Sequence, residues 1–257
     1  MFLVKSCKRQ YNPKTSKTIR IGSLSEYREI EDTQIADKEE GHFRINFDLS
    51  NKLIGIDLFN YLNDSHRSAL TARIDTLSPG EMDHTHVFLK KYQAGYEWIN
   101  NNRFIFCITK VNTPEEALEI FPDYDDYWHV NIFQMRRFLN QLSDNLLLEI
   151  KERTSSGEEL FDIPVADYEK LSIDAYQQEI IYRHRDLYLG NNDIGPMEEF
   201  IKGLFENIKF IKPDSFSHEK ELRLIFDVYY DGALIHPKIK SIIIPSTGLD
   251  SLISKKP

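Results

Sequence analysis

The stretch Phe216-Ser217-His218-Glu219-Lys220-Glu221-Leu222-Arg223-Leu224-Ile225-Phe226-Asp227-Val228 decides how this chain is read. From Glu221 onward it alternates: Leu222, Leu224, Phe226 and Val228 fall on one side, Glu221, Arg223 and Asp227 on the other. Successive side chains of a strand point to opposite faces, so the pattern predicts a strand with one face in a core. Glu219 stands two residues before Glu221, and the pair projects to one side if the backbone is already extended at Glu219. Two carboxylates at the mouth of a strand, with His218 beside them, are suited to acid/base work or to stabilising a cation. The plainer expectation is a solvated strand face with a cross-strand salt bridge.

The chain has 257 residues, 41% hydrophobic and 28% charged, a globular composition long enough for a large core. Its 32 basic and 41 acidic residues leave a net charge of −9, unevenly spread. The first twenty residues hold Lys5, Lys8, Arg9, Lys14, Lys17 and Arg20 and no acid, which leaves −15 on the rest. An acidic body argues against a broad, sequence-independent clamp on nucleic acid. The basic strip either holds a phosphate-bearing ligand locally or is a solvated arm. No run approaches the roughly 18 apolar residues of a membrane span, and Met1-Phe2-Leu3-Val4-Lys5 lacks a signal-peptide core. Cys7 and Cys107 have no metal-ligand spacing and make no disulfide framework. A cytoplasmic protein with no membrane partner is expected.

Strands are expected near residues 2–6, 18–21, 42–49, 84–90, 103–110, 175–183, 208–211, 221–229 and 240–244. Ser23 followed by Glu26 reads as a capping box opening a helix to Ile30, and Thr113-Pro114-Glu115-Glu116 opens a short one. Ile132, Met135, Leu139, Leu142, Leu146 and Ile150 keep helical spacing over residues 131–151. A further helix is expected at residues 196–206. With no repeat, low-complexity tract or linker, residues 1–257 read as a single α+β domain, mainly antiparallel strands with intervening helices.

A second region is dense in polar residues: Ile19-Arg20-Ile21-Gly22-Ser23-Leu24-Ser25-Glu26-Tyr27-Arg28-Glu29-Ile30-Glu31-Asp32, then Ile35, Asp37, Glu39, Glu40 and Gly41. Tyr27, Arg28 and Glu31 are neighbours on a helix face, and Arg28 is able to present a forked donor pair to a phosphate or carboxylate. A capped surface helix with local ion pairs is the alternative.

Together with the late His-Glu-x-Glu-x-Arg, this pattern resembles a group of uncharacterised bacterial proteins and a larger family that also ends in a Glu-x-Glu-x-Arg strand. Their layout is similar to that of ADP-ribosyltransferase-like toxins, including those of phage-defence toxin–antitoxin systems. The resemblance covers the two motifs and a loose order of elements. It implies a split-sheet core, NAD as a substrate rather than a metal cofactor, a nucleic-acid or protein acceptor, and an antitoxin partner. It further implies that Arg20, with Arg9 behind it, holds the dinucleotide, with Tyr27 and Arg28 nearby. Thr109, in Phe106-Cys107-Ile108-Thr109, takes the mid-chain hydroxyl position, although the family's Ser-Thr-Ser is absent. Glu221 takes the position beside the nicotinamide ribose, Glu219 serves the acceptor, and Arg223 orients Glu221.

Cleaving the nicotinamide–ribose bond builds positive charge on the ribose, as in glycoside hydrolysis. A carboxylate beside the sugar stabilises that charge, while basic groups secure the pyrophosphate. The absence of Gly-x-Gly-x-x-Gly and of Gly-x-x-x-x-Gly-Lys-Ser/Thr disfavours Rossmann and P-loop binding. Other readings stay open. His84 and His86 share one face if residues 84–90 are a strand, and could chelate a transition metal for a hydrolase. The aromatic–acidic run from Phe121 to His129 either stacks a base or caps a core beneath a loop. Tyr182-Arg183-His184-Arg185-Asp186 is a small basic patch. A non-catalytic module whose acidic body meets a partner is the last alternative.

Overall fold

The computed structural model describes residues 1–29, 37–63, 70–99, 101–193, 199, 201, 203 and 207–255. The architecture is α+β with mostly antiparallel strands. Although the sequence shows no linker, the backbone groups into two compact units. One comprises Met1–Glu40, Asn102–Ile180 and Ser215–Pro257, the other Gly41–Asn101 and Ile181–Asp214. Among the described residues no helix is long and apolar enough to cross a membrane.

The first unit is built on a nine-stranded sheet around β12 (Glu221–Tyr230). One edge of β12 pairs along its length with β8 (Leu171–Glu179). Its other edge pairs with β6 (Phe104–Val111) and then β13 (Ala233–Ile235). At β6 the sheet forks. Thr109–Val111 pair with β1 (Phe2–Cys7), which continues to β7 (Asp126–Asn131) and β15 (Ile253–Lys255). Phe104 and Ile105 pair instead with β2 (Thr18–Ser23), which continues to β14 (Ser241–Pro245). Between the two branches the Cys107 carbonyl accepts a hydrogen bond from Lys5 Nζ at 2.9 Å, which satisfies an acceptor the ladders leave over.

One face of this sheet packs on the helix α5 (Met135–Ser155). Leu222, Leu224, Phe226 and Val228 meet Met135, Phe138, Leu142, Leu146 and Ile150 in one core, as the alternation and the helical spacing require. Phe106, Trp128 and Phe138 form an aromatic cluster with centroids 5.8–6.3 Å apart. The run from Phe121 to His129 follows the short helix α4 (Glu116–Ile120); its last four residues are not a loop cap, since Tyr127 and Trp128 are buried within β7, beside β1. The basic N-terminal strip is no free arm either. It forms β1, the short helix α1 (Pro13–Ser16) and β2, with Lys14 and Lys17 paired to Asp250.

The second unit carries a four-stranded sheet in the order β10 (Asp186–Gly190), β3 (His42–Gly55), β5 (His86–Ile99), β4 (Leu70–Met82). β10 runs parallel to β3 and the other pairs are antiparallel. Phe43, Ile45 and Phe47 alternate into a core shared with Leu58 and Leu62 of α3 (Ile56–Asn63). A parallel pair, β9 (Ile181–Tyr182) and β11 (Ile211–Lys212), completes it. The helix expected at residues 196–206 lies largely outside the described residues.

Ser23 is the last residue of β2, paired with Phe104, and the helix α2 (Leu24–Glu29) begins directly after it, which puts Ser23 at the N-cap position that the capping-box pattern gives it. The strand placed at residues 84–90 starts only at His86, because Asp83 Oδ1 accepts from the backbone N–H groups of Thr85 and His86 and closes a turn.

Candidate functional site

Glu221 opens β12 immediately after Lys220, whose φ of 47° is left-handed. Glu219 ends a 3-10 segment, Asp214–Glu219. The two acids are therefore not successive same-side positions of one extended chain, because the backbone turns between them at Lys220. Both are nonetheless buried, each 4% exposed. The Lys220 carbonyl accepts from Lys110 N at 2.9 Å and the Glu221 carbonyl from Ile180 N at 3.0 Å, which anchors this corner on both flanks. His218 is exposed, and its Nδ1 lies 3.0 Å from the Ser215 carbonyl within its own turn.

The face of β12 turned away from α5 is buried as well, contrary to a solvated strand face. On it Glu221 pairs directly with Thr109, and Arg223 with Cys107. Cross-strand partners share a face, so Thr109 stands beside Glu221. Ile19 and Ile21 belong to the α5 core, which turns Arg20 and Gly22 of β2 toward this polar face. Arg20, Thr109 and Glu221 thus share one face of the forked sheet, with Arg20 on the far branch. Its side chain is half exposed, donates from Nε to Ser241 Oγ at 3.2 Å, and pairs through Nη2 with Glu26 Oε1. Arg9 lies elsewhere. It is exposed in a 3-10 turn beyond β1, with its backbone N–H bonded to Asp125 Oδ1 at 2.8 Å.

The centre of the polar face is a chain of three charges. Arg223, 1% exposed, donates from Nε to Glu221 Oε1 at 2.7 Å. Its other edge grips Glu40 bidentately, Nη1 to Oε1 at 2.7 Å and Nη2 to Oε2 at 3.3 Å. Burial works against the guanidinium charge, but Glu221 and Glu40 outweigh it and hold the Arg223 pKa well above its ordinary value. Glu40 ends a turn closed by its own N–H to the Asp37 carbonyl at 2.9 Å. Its carbonyl accepts from Arg28 Nε at 2.6 Å. Arg28 therefore fastens a backbone segment rather than presenting a free fork, and its expected neighbour Glu31 lies outside the described residues, as do Asp32 and Ile35.

Tyr27 of α2 adjoins the same group. Burial first, then the neighbouring Cys107 thiol and Glu221, push its phenol well above the ordinary range, with Arg223 opposing. Gly22 makes this approach possible: a Cβ there would lie 2.6 Å from Glu26 Oε2 and 3.2 Å from Tyr27 Cε2. A second polar cluster sits at the other end of β12. Arg103 Nη1 binds Asp227 Oδ1 at 2.8 Å and Oδ2 at 3.0 Å, and Tyr176 donates to Oδ2 at 2.8 Å. At about 3.3 Å per residue it lies ~20 Å along the strand from Glu221.

The histidine alternative is corrected by the turn at Asp83. His84 lies in that turn and His86 opens β5, so they are not alternate residues of one strand, and both are exposed. His86 Nδ1 is 2.8 Å from Thr85 Oγ1. His42 pairs with Ile99, at the opposite end of β5 from His86. Among the described residues no group of three or more His, Cys, Asp or Glu is placed to hold a metal ion. A cavity of about 280 Å³, lined by residues such as Thr154, Leu160, Phe161, Ile163 and Lys238, includes none of the polar-face residues.

The sequence motif includes Glu40, and the alternation places Asp227, but neither the pairing of Glu40 with Arg223 nor the Arg103–Asp227–Tyr176 cluster is legible in the sequence. Glu40 lies 183 positions from Arg223, beyond the reach of any spacing rule. In comparisons with known proteins, no family model, no curated protein and no solved structure matches this chain.

Proposed function

We propose that the polar face of the forked sheet performs NAD-dependent ADP-ribosyl transfer to a macromolecule, as a toxin or defence effector. The observation that carries this reading is the juxtaposition of Glu221 with Thr109, with Arg223 on Glu221 and Arg20 on the same face. The fork at β6 supports this reading, since the resemblance implies a split-sheet core. In the reaction the bond between ribose C1′ and the nicotinamide nitrogen breaks. Nicotinamide leaves as a neutral base, taking the bonding pair, and Glu221 stabilises the cationic ribosyl group. The acceptor's lone pair then bonds C1′, and its proton passes to Glu219 or to water. Arg20, half exposed and held by Ser241 and Glu26, turns its remaining guanidinium N–H groups to the pyrophosphate. Nucleic acid is favoured over protein as the acceptor because the first twenty residues are wholly basic among their charges.

The test is incubation with labelled NAD and cell lysate. The wild type should transfer label and Glu221→Gln should lose it, with toxicity lost in parallel. If the wild type transfers nothing and Glu221→Gln keeps its toxicity, the reading is sunk. One observation favours a second reading: Glu40 and Glu221 are both buried and both paired to the buried Arg223. That arrangement suits a structural ion triad in a non-catalytic module that binds a partner such as an antitoxin.

A further inference from the structure

Glu40 sits at the end of the charge chain, fully buried, in a turn far in sequence from β12. Its two oxygens take both terminal nitrogens of Arg223, while Nε of the same guanidinium points at Glu221. A guanidinium is planar, so gripping its Nη edge fixes the direction of the Nε–H bond. Arg223 alone, two residues from Glu221 on a flexible side chain, has no such constraint. Glu40 is itself held, through its N–H to Asp37 and through Arg28 Nε on its carbonyl. The chain of restraint therefore runs from a backbone turn, through Glu40 and Arg223, to Glu221.

Charge adds to orientation. Arg223 alone would neutralise Glu221. With Glu40 present the three side chains together carry one negative charge, in surroundings that exclude water. A net negative group is what a cationic ribosyl transition state calls for. We infer that Glu40 is a positioning residue for transfer: it fixes Arg223 so that Glu221 is aimed, and it offsets the guanidinium charge so that Glu221 acts as an anion. This inference rests on the ADP-ribosyl-transfer reading, to which it adds Glu40 of the early polar motif as a third acid beside Glu219 and Glu221.

The experiment measures kcat and KM for NAD on the full chain, with circular dichroism and thermal melting for each variant. Glu40→Gln keeps the shape and removes the charge. It should lower kcat about tenfold or more, the scale lost when a supporting partner is removed, with KM within about twofold. A purely structural Glu40 would lower the melting temperature but leave kcat per folded molecule unchanged, and that result overturns the inference. A rise in KM at constant kcat overturns it too. Should Glu40→Gln fail to fold, Glu40→Asp decides. It keeps the charge but shortens the reach by one methylene, and a folded Glu40→Asp should lose roughly fivefold or more in kcat by the same reasoning. Undiminished kcat there refutes the role. A wild type with no NAD turnover brings down the transfer reading and this inference together, whereas an active wild type beside an equally active Glu40→Gln brings down only the role of Glu40.

Discussion

The two faces of β12 are both buried but by opposite means. Toward α5, Leu222, Leu224, Phe226 and Val228 lose water to other apolar groups, a favourable exchange worth about 1.5–3 kcal/mol for each fully buried side chain. On the other side Glu221 and Arg223 lose water to each other and to Glu40. There the gain in ion pairing must first offset desolvation, which costs several kcal/mol per ion. The apolar face gains from every atom placed in it. The polar face is held only while its partners are complete, which is a poor way to build stability and a good way to hold one carboxylate in a chosen state.

The largest break in this contrast comes from removing the middle charge. Arg223→Met should cost about 3–5 kcal/mol, because two carboxylates stay buried without their cation. Replacing all three together, Glu40→Leu, Glu221→Leu and Arg223→Met, should recover most of that loss. Urea unfolding of the two variants checks it; a triple variant no more stable than the single one would show that the charges specify packing that apolar groups cannot replace. On the apolar face no such recovery is available. Leu224→Ala should cost about 2–5 kcal/mol through the cavity it leaves. That loss should be insensitive to salt and to neutral pH, measured by the same unfolding in low and high salt.

Most of the apolar face was legible in the sequence, since alternation at Leu222 to Val228 and helical spacing at Met135 to Ile150 report burial directly. The polar face was not. Alternation says which side Glu221 and Arg223 take but not what covers that side, and the cover, Glu40 and Tyr27, comes from a distant segment. The Glu219–Glu221 pairing failed for a local reason, the left-handed Lys220, a conformation that a lysine does not advertise. Trp128 in β7 and the long edge strand β4 escaped because neither carries a clean period of two. Arg28 had the right chemistry for a ligand but is engaged on a backbone carbonyl.

A smaller effect follows from the close approach at Gly22. Gly22→Ala places a methyl group against Glu26 and the Tyr27 ring, and overpacking of this kind costs about 1–3 kcal/mol. Part of that cost is relieved if the Glu26 carboxylate swings away. The sharper readout is therefore Tyr27: its fluorescence and transfer activity should shift in Gly22→Ala, while Gly232→Ala, at a glycine with open space around its Cβ position but a φ of +81°, should affect stability alone. Equal loss of activity in both would remove the special place of Gly22.

At neutral pH the faces show no difference through their buried Cys7 and Tyr27 protons; it emerges only in their response to alkali. Cys7 packs against the α5 core, and burial first, then Asp126, push its thiol from 9.0 up to about 12. The folded chain therefore holds that proton where the unfolded chain has released it. The stability it contributes is complete below pH 9 and is lost as pH rises from there to about 12. Cys7→Ala removes that component, so its stability should fall less steeply over this window, by up to about 1.4 kcal/mol per pH unit. Tyr27 acts in the same direction on the polar face, because its phenol is also raised. Its loss begins near pH ~10, the ordinary phenol value. Urea unfolding from pH 8 to 11 should thus show Cys7→Ala departing from the wild type first and Tyr27→Phe only at higher pH. Simultaneous departure would mean that the two faces unfold as one response to charge rather than each through its own buried proton.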